Sequence, residues 1–159
     1  MTRFLAVLPL LVSPALAQTV PAEPDAARAL MQSFAGTMDA DQDGEISSAE
    51  LVDFSDQVFQ SLDTDGSGGI AAEELIEWEF GVADMAAFRG REQAYATAIT
   101  FVHDLFDTDN DEAISPTEHR EGILRSRDYA DVDRDGRLVT AEFLRNFIYS
   151  MAIRSALIE

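Results

Sequence analysis

The sequence predicts an all-α protein built from two tandem loop–helix–loop units. Three observations predict it. A twelve-residue acidic pattern occurs four times, at 39–50, 63–74, 107–118 and 131–142. Apolar residues on either side of each copy recur at helical spacing. The first two copies reappear as the last two at an offset of sixty-eight residues, which marks a duplication.

The chain begins with a segment that reads as an address. Arg3 precedes an apolar run over residues 4–12 that only Pro9 interrupts, and Ala15, Leu16 and Ala17 fit a small-x-small cleavage pattern. The run is shorter than the roughly 20 apolar residues a membrane span needs. The expectation is a signal peptide over 1–17, a mature chain from Gln18, a periplasmic or secreted destination, and no membrane span after cleavage. Residues 21–24, with Pro21 and Pro24, read as a short solvated lead-in.

Charge narrows the partners. Thirty Asp and Glu against eleven Lys and Arg give a net charge of -19, so the chain repels nucleic acid and anionic membranes and suits cations. The acids alternate with apolar residues, which argues against a disordered acidic tail. The absence of cysteine excludes disulfides, thiolate metal sites and a cysteine nucleophile. No Ser-His-Asp arrangement, nucleotide loop or catalytic metal triad is present, so no enzyme is expected.

Each acidic copy has acids at positions 1 and 3, an oxygen-bearing residue at 5, an aliphatic residue at 8 and Glu at 12. A hard cation such as calcium takes six to eight oxygens, and this spacing lets side chains at 1, 3 and 5, the carbonyl at 7 and both oxygens of Glu at 12 converge on one point. Position 6 turns sharply, which favours Gly. The four copies resemble the EF-hand family, and the resemblance covers nearly all of residues 18–159 in units of about 25–90 and 91–159. It implies calcium as cofactor and the following ligand sets. Loop 1 offers Asp39, Asp41, Asp43, the Glu45 carbonyl and Glu50. Loop 2 offers Asp63, Asp65, Ser67, the Gly69 carbonyl and Glu74, with an uncharged hydroxyl at position 5. Loop 3 offers Asp107, Asp109, Asp111, the Ala113 carbonyl and Glu118, and departs from the family with Glu112 at position 6. Loop 4 offers Asp131, Asp133, Asp135, the Arg137 carbonyl and Glu142. These side chains account for fifteen of the thirty acids.

The flanking helices follow from apolar spacing. Entering segments carry Leu30, Phe34 and Met38; Val58, Phe59 and Leu62; and Ile99, Val102, Leu105 and Phe106. Leaving segments carry Leu51, Val52 and Phe54; Leu75, Ile76 and Phe80; Ile123 and Leu124; and Phe143, Leu144, Phe147 and Ile148. These residues are expected in the core, as is Trp78. Pro116 is tolerated in the first turn of its helix. Gly36, Gly81 and Gly122 read as close-packing points or local breaks. His103 and His119 match no metal motif and are expected on the surface or facing a partner. Arg120, Arg125, Arg127 and Arg134 are expected to balance nearby carboxylates or to form a docking face.

Loop spacing sets the pairing. Only twelve residues separate Glu50 from Asp63, and twelve again separate Glu118 from Asp131. That is room for about one helix of some 20 Å. If each gap is one helix, its two loops cannot touch. The loops then pair crosswise, 1 with 4 and 2 with 3, bridged through Ile46 against Leu138 and Ile70 against Ile114. If each helix breaks, near Ser55 and Asp56 and near Ser126 and Arg127, neighbouring loops pair instead. The thirty-two residues between Glu74 and Asp107 hold two helices turning near Gly90. The resemblance leaves several roles open: a buffer or calcium-stabilised protein, a sensor, or a module that grips a cell-envelope partner when calcium is bound. Only four Met, at 31, 38, 85 and 151, follow the leader, which weighs against a promiscuous groove.

Overall fold

A computed structural model describes residues 24–78 and 81–157, with side chains from residue 28 onward. The expected signal peptide, the cleavage site and Phe80 lie outside the described residues. In chain order the elements are α1 (Pro24–Met38), β1 (Glu45–Ile46), α2 (Ser48–Leu62), α3 (Ala72–Glu77), α4 (Val82–Phe88), α5 (Glu92–Phe106), α6 (Pro116–Ala130), β2 (Leu138–Val139), α7 (Thr140–Asn146) and α8 (Ile148–Leu157). The fold is all-α. No helix among the described residues is long and apolar enough to cross a membrane.

Each twelve-residue gap is one continuous helix. Ser47 caps α2, where its hydroxyl accepts from the Glu50 N–H and the Glu50 carboxylate accepts from the Ser47 N–H. Ser115 and Glu118 do the same for α6, with Pro116 in the first turn. The following loop's first aspartate closes each helix: the N–H of Asp63 donates to Phe59 and that of Asp131 to Arg127. Position 12 of one loop and position 1 of the next therefore sit on one rod about 20 Å apart.

The two rods lie antiparallel. Ser48 meets Arg127 near one end, and Ser55 meets His119 and Asp56 meets Arg120 further along. Loop 1 is thereby carried to loop 4 and loop 2 to loop 3. β1 and β2 pair antiparallel with Ile46 opposite Leu138, and Ile70 bridges Ile114 through mutual N–H···O=C bonds of 2.9 Å. All four bridge residues are fully buried. One continuous apolar core joins both units, from Met31 and Met38 in α1 to Phe143, Phe147 and Ile153 in α7 and α8. The helix entering loop 1 packs against the helices that leave loop 4.

Several expectations need correction. The stretch between loops 2 and 3 holds three helices. It breaks at Gly81, whose φ of +79° suits glycine, as well as near Gly90. The helix leaving loop 4 is likewise not continuous. Phe147 is extended (φ -66°, ψ 136°), its buried ring 4.9 Å from that of Phe143, and α8 departs in a new direction to pack along α5. Arg89 and Arg91 then donate to the Leu157 and Ala156 carbonyls at the end of α8. Leu105 is exposed, because α5 buries Tyr95, Ile99, Val102 and Phe106 and turns Leu105 and Phe101 outward. Trp78 is half-buried and stacks on Phe34 at 5.9 Å. Gly122 is a close-packing point, since a Cβ there would stand 2.5 Å from the Phe106 ring. Gly36 is exposed within α1 and is neither a packing point nor a break.

His103 and His119 are buried, not on the surface. Each fills a position that is apolar in another copy. The residue after position 12 is Leu51, Leu75 and Phe143 in loops 1, 2 and 4, and His119 in loop 3. Four residues before position 1 stand Ala35 in loop 1 and Phe59 in loop 2, against His103 in loop 3. His119 packs between Phe59 and Phe106, with Nδ1 2.9 Å from the Ser55 hydroxyl and Nε2 buried without a partner among the described residues. Burial holds its imidazole down at about 4, against the pull of the Asp56 carboxylate. His103 Nε2 lies 3.1 Å from the Ile70 carbonyl and so braces the bridge between loops 2 and 3.

Candidate metal sites

The acidic loops fold because their own side chains satisfy their backbone. In loops 1, 3 and 4 the position 1 carboxylate accepts the N–H of positions 5 and 6: Asp39 from Asp43 and Gly44, Asp107 from Asp111 and Glu112, Asp131 from Asp135 and Gly136. In loop 2, Asp63 accepts from the Gly68 N–H and the Ser67 hydroxyl. Asp43, Asp111 and Asp135 at position 5 each accept the N–H of position 7. The position 12 carboxylate reaches back across every loop. Glu50, Glu74, Glu118 and Glu142 accept the N–H of Ala40, Thr64, Thr108 and Val132, and also that of position 9.

This folding gathers oxygen donors. Ligand atoms of Asp39, Asp41 and Asp43 lie within 4.8 Å of one another, and so do those of Asp63, Asp65 and Glu74; Asp107, Asp109 and Glu118; and Asp131, Asp133 and Glu142. Asp111 and Asp135 belong to the same loops through their bonds to Asp107 and Asp131, and Glu50 through the bonds already given. In loop 2 the Ser67 hydroxyl donates to the Gly69 carbonyl at 2.9 Å, which places positions 5 and 7 side by side. The four clusters lie on four copies of one loop, not on a scatter of surface acids.

Their electrostatics follow from the crowding. Desolvation raises the Asp109 carboxyl above the usual carboxylate range, and the charges of Asp111, Glu118 and Asp107 add to this. The Asp135 N–H lowers Asp133, yet desolvation and the charges of Asp135, Glu142 and Asp131 together leave it raised. Glu50, Glu74 and Glu118 at position 12 go the other way. The Ser115 N–H, with its hydroxyl and Thr108, holds Glu118 at about 2. Ser47 lowers Glu50 in the same manner. At Glu74 desolvation is outweighed by bonds from Ala71, Thr64 and Asp65. A cluster of crowded carboxylates fits a hard divalent cation, whose charge relieves the repulsion and whose preference is for oxygen.

The backbone accommodates the loops unevenly. Position 4 is left-handed throughout: Gln42, Gly66, Asn110 and Arg134 have φ between 58° and 71°. Position 6 is Gly in three loops, but Glu112 adopts φ 74° in loop 3, a conformation that disfavours a side chain. Sequence reasoning used only the carbonyls of Glu45 and Arg137. Their side chains form an ion pair across loops 1 and 4. The matching place between loops 2 and 3 is held by small residues, where a Cβ on Gly69 would meet the Ala113 Cβ at 2.9 Å. Of the arginines grouped by sequence, Arg120 pairs with Asp56 and Arg127 with Asp128, so both balance carboxylates.

Residues 36–55 and 56–77 match the family model described as EF hand. The two matches cover loops 1 and 2 with the helices around α2, and they support an EF-hand family for this chain. EF-hand motifs imply binding of a divalent metal, typically calcium. Loops 3 and 4 lie outside the matched residues. No curated protein matches the chain.

Proposed function

We propose that the protein binds calcium in all four loops and acts through ion binding alone, with no catalytic step. The observation that carries this reading is the recurrence of one oxygen cluster at the same loop positions four times, two of them within the EF-hand matches. Asp at positions 1, 3 and 5 (Ser67 in loop 2), the carbonyl at 7 and Glu at 12 would hold each ion. The ion would supply the positive charge that the clustered carboxylates lack. The leader read in residues 1–17 supports export to a periplasm or the cell exterior. The core supports a calcium-stabilised or buffering protein over a sensor: its methionines Met31 and Met38 are buried against neighbouring helices.

A second reading is a module that grips a partner when calcium is bound. It is favoured by the exposed Phe101, Leu105 and Tyr129 on one side of the molecule. Calorimetric titration of the chelated protein with calcium tests the main reading, with four ions bound per chain as the expected result. Binding to the native state alone adds roughly 2.7 kcal/mol per site at a hundredfold excess over the dissociation constant. The melting temperature should therefore fall sharply on chelation. Equal melting with and without chelator would overturn the proposal.

A further inference from the structure

Helix α5 is apolar on both sides. Tyr95, Ile99, Val102 and Phe106 face the core, while Ala94, Ala98, Phe101 and Leu105 line the outward side. A helix that is apolar all round is ordinarily covered all round. α8 lies beside it and antiparallel, because Arg91 at the start of α5 donates to the Ala156 carbonyl near the end of α8. Between them runs a groove of about 1170 Å³, with Phe101, Leu105 and Tyr129 exposed along it. We propose that a second copy of this chain covers this face, with α5 of one copy lying antiparallel on α5 of the other about a twofold axis. This contact does not depend on the calcium reading of the loops. It takes the surface that a calcium-dependent gripping module would offer to another protein.

Shape and charge both favour a copy of the same chain over another occupant. The face is bulky at one end and hollow at the other, and the two ends match. On α5, Phe101 and Ala94 stand equally far from a midpoint between Thr97 and Ala98, and so do Leu105 and Gly90. On α8, Ile148 and Ser155 share a midpoint with Met151 and Ala152. A twofold axis across the helices at these midpoints sets each large side chain over a small one of the other copy, as an isologous contact requires. α6 crosses α5 at Phe106 and adds Tyr129 to the bulky end. The rotation carries that ring to the Arg91 end of the other copy, where ring face and guanidinium attract. Charge is arranged to suit. Residues 18–80 hold fifteen acids against one arginine, whereas residues 81–159 hold fifteen against nine, and eight of those acids belong to the metal sites. Among the described residues, Arg91 is the one charged side chain lining the groove, and no carboxylate lines it. A basic segment finds no anion there. Two copies meet through it without the repulsion that a contact between their first halves would bring. The face is about 22 Å long and two helices wide, so the contact is at the small end of specific interfaces and should be weak.

The test is sedimentation equilibrium of the full chain in excess calcium, from about 1 μM to about 1 mM, the range in which small interfaces dissociate. A monomer–dimer equilibrium within that range is expected. Phe101→Glu should raise the dissociation constant at least about a hundredfold, since a twofold contact loses the ring twice. Ala94→Phe should raise it at least about tenfold although it adds apolar surface, because it fills the hollow that Phe101 enters. The chain has no cysteine, so a single introduced one reports the geometry. Thr97→Cys, beside the axis, should form an intermolecular disulfide with diamide as oxidant at least about tenfold faster than Asp53→Cys on α2. The contact raises its effective concentration into the millimolar range. Circular dichroism checks the fold of each variant, and the cysteine pair decides the matter if a groove variant does not fold. A monomer throughout would overturn the proposal, whether or not its groove takes up a basic peptide or an apolar ligand. So would a dimer indifferent to both groove variants, a dimer tightened by Ala94→Phe, or equal cross-linking of the two cysteines.

Discussion

Lowering the pH from 7 to 5 should cost the fold about 2 kcal/mol through His119 alone. Folding depresses this imidazole from 6.5 to about 4 because it is buried between Phe59 and Phe106, with one ring nitrogen on Ser55 and the other unpartnered among the described residues. A depressed histidine favours the folded state fully above its unfolded value of 6.5. That contribution fades as the pH falls towards about 4, below which both states are protonated. At pH 5 the unfolded chain has taken up nearly one proton that the folded chain has not. Each pH unit over which this holds is worth about 1.36 kcal/mol. The comparison protein is His119→Leu, since leucine fills the corresponding place at Leu51, which is fully buried. Ser55 can then turn its hydroxyl to a carbonyl one turn back in α2. Urea unfolding in saturating calcium, read by circular dichroism at both pH values, gives the difference. All other ionisable groups are common to both proteins, so the comparison isolates His119. The natural protein should lose about 2 kcal/mol more than the variant. Equal losses would refute the burial argument.

Other substitutions probe separate features. Glu112→Gly should tighten loop 3 by about 1 kcal/mol, the cost of a side chain at φ 74°, and site-resolved calcium titration would detect it. Gly122→Ala should destabilise by about 1–3 kcal/mol in urea unfolding, because its Cβ meets the Phe106 ring where α6 crosses α5. Tyr149→Phe should leave stability unchanged or raise it by about 1 kcal/mol, as its buried hydroxyl has no partner among the described residues and can be lost without breaking a bond there. A thermal melt that fell by several degrees would count against that.

The loops were legible because oxygen-bearing residues recur in them at one fixed spacing, and the pairing was legible because twelve residues without proline fit one helix. The two histidines were not. Their burial depends on which copy of a repeat they replace, and it emerges only when the four loops are laid side by side, with His119 under Leu51, Leu75 and Phe143. The break at Gly81 had a local signal in the glycine. The one at Phe147 had none, because packing of α8 along α5 decides it. Periodicity also counted Leu105 as core, since an apolar helix such as α5 carries hydrophobic residues on both its buried and its outward face. The contact between Glu45 and Arg137 was hidden by assigning both residues to their carbonyls.

Crossed pairing also dictates an order of assembly. Ile46 reaches Leu138 across ninety-two residues, whereas pairing with Ile70 would have spanned only twenty-four. A free chain closing the longer loop loses about 1.2 kcal/mol more entropy. Ile70 and Ile114 are separated by forty-four residues and nest inside that span. Once they meet, α2 and α6 extend from the junction as two rods of equal length, and the outer pair is brought together without searching the full ninety-two. Folding should therefore zip from the middle of the chain outwards. A ribosome releasing the first half would expose a segment with no partner for either of its loops until the second half emerges.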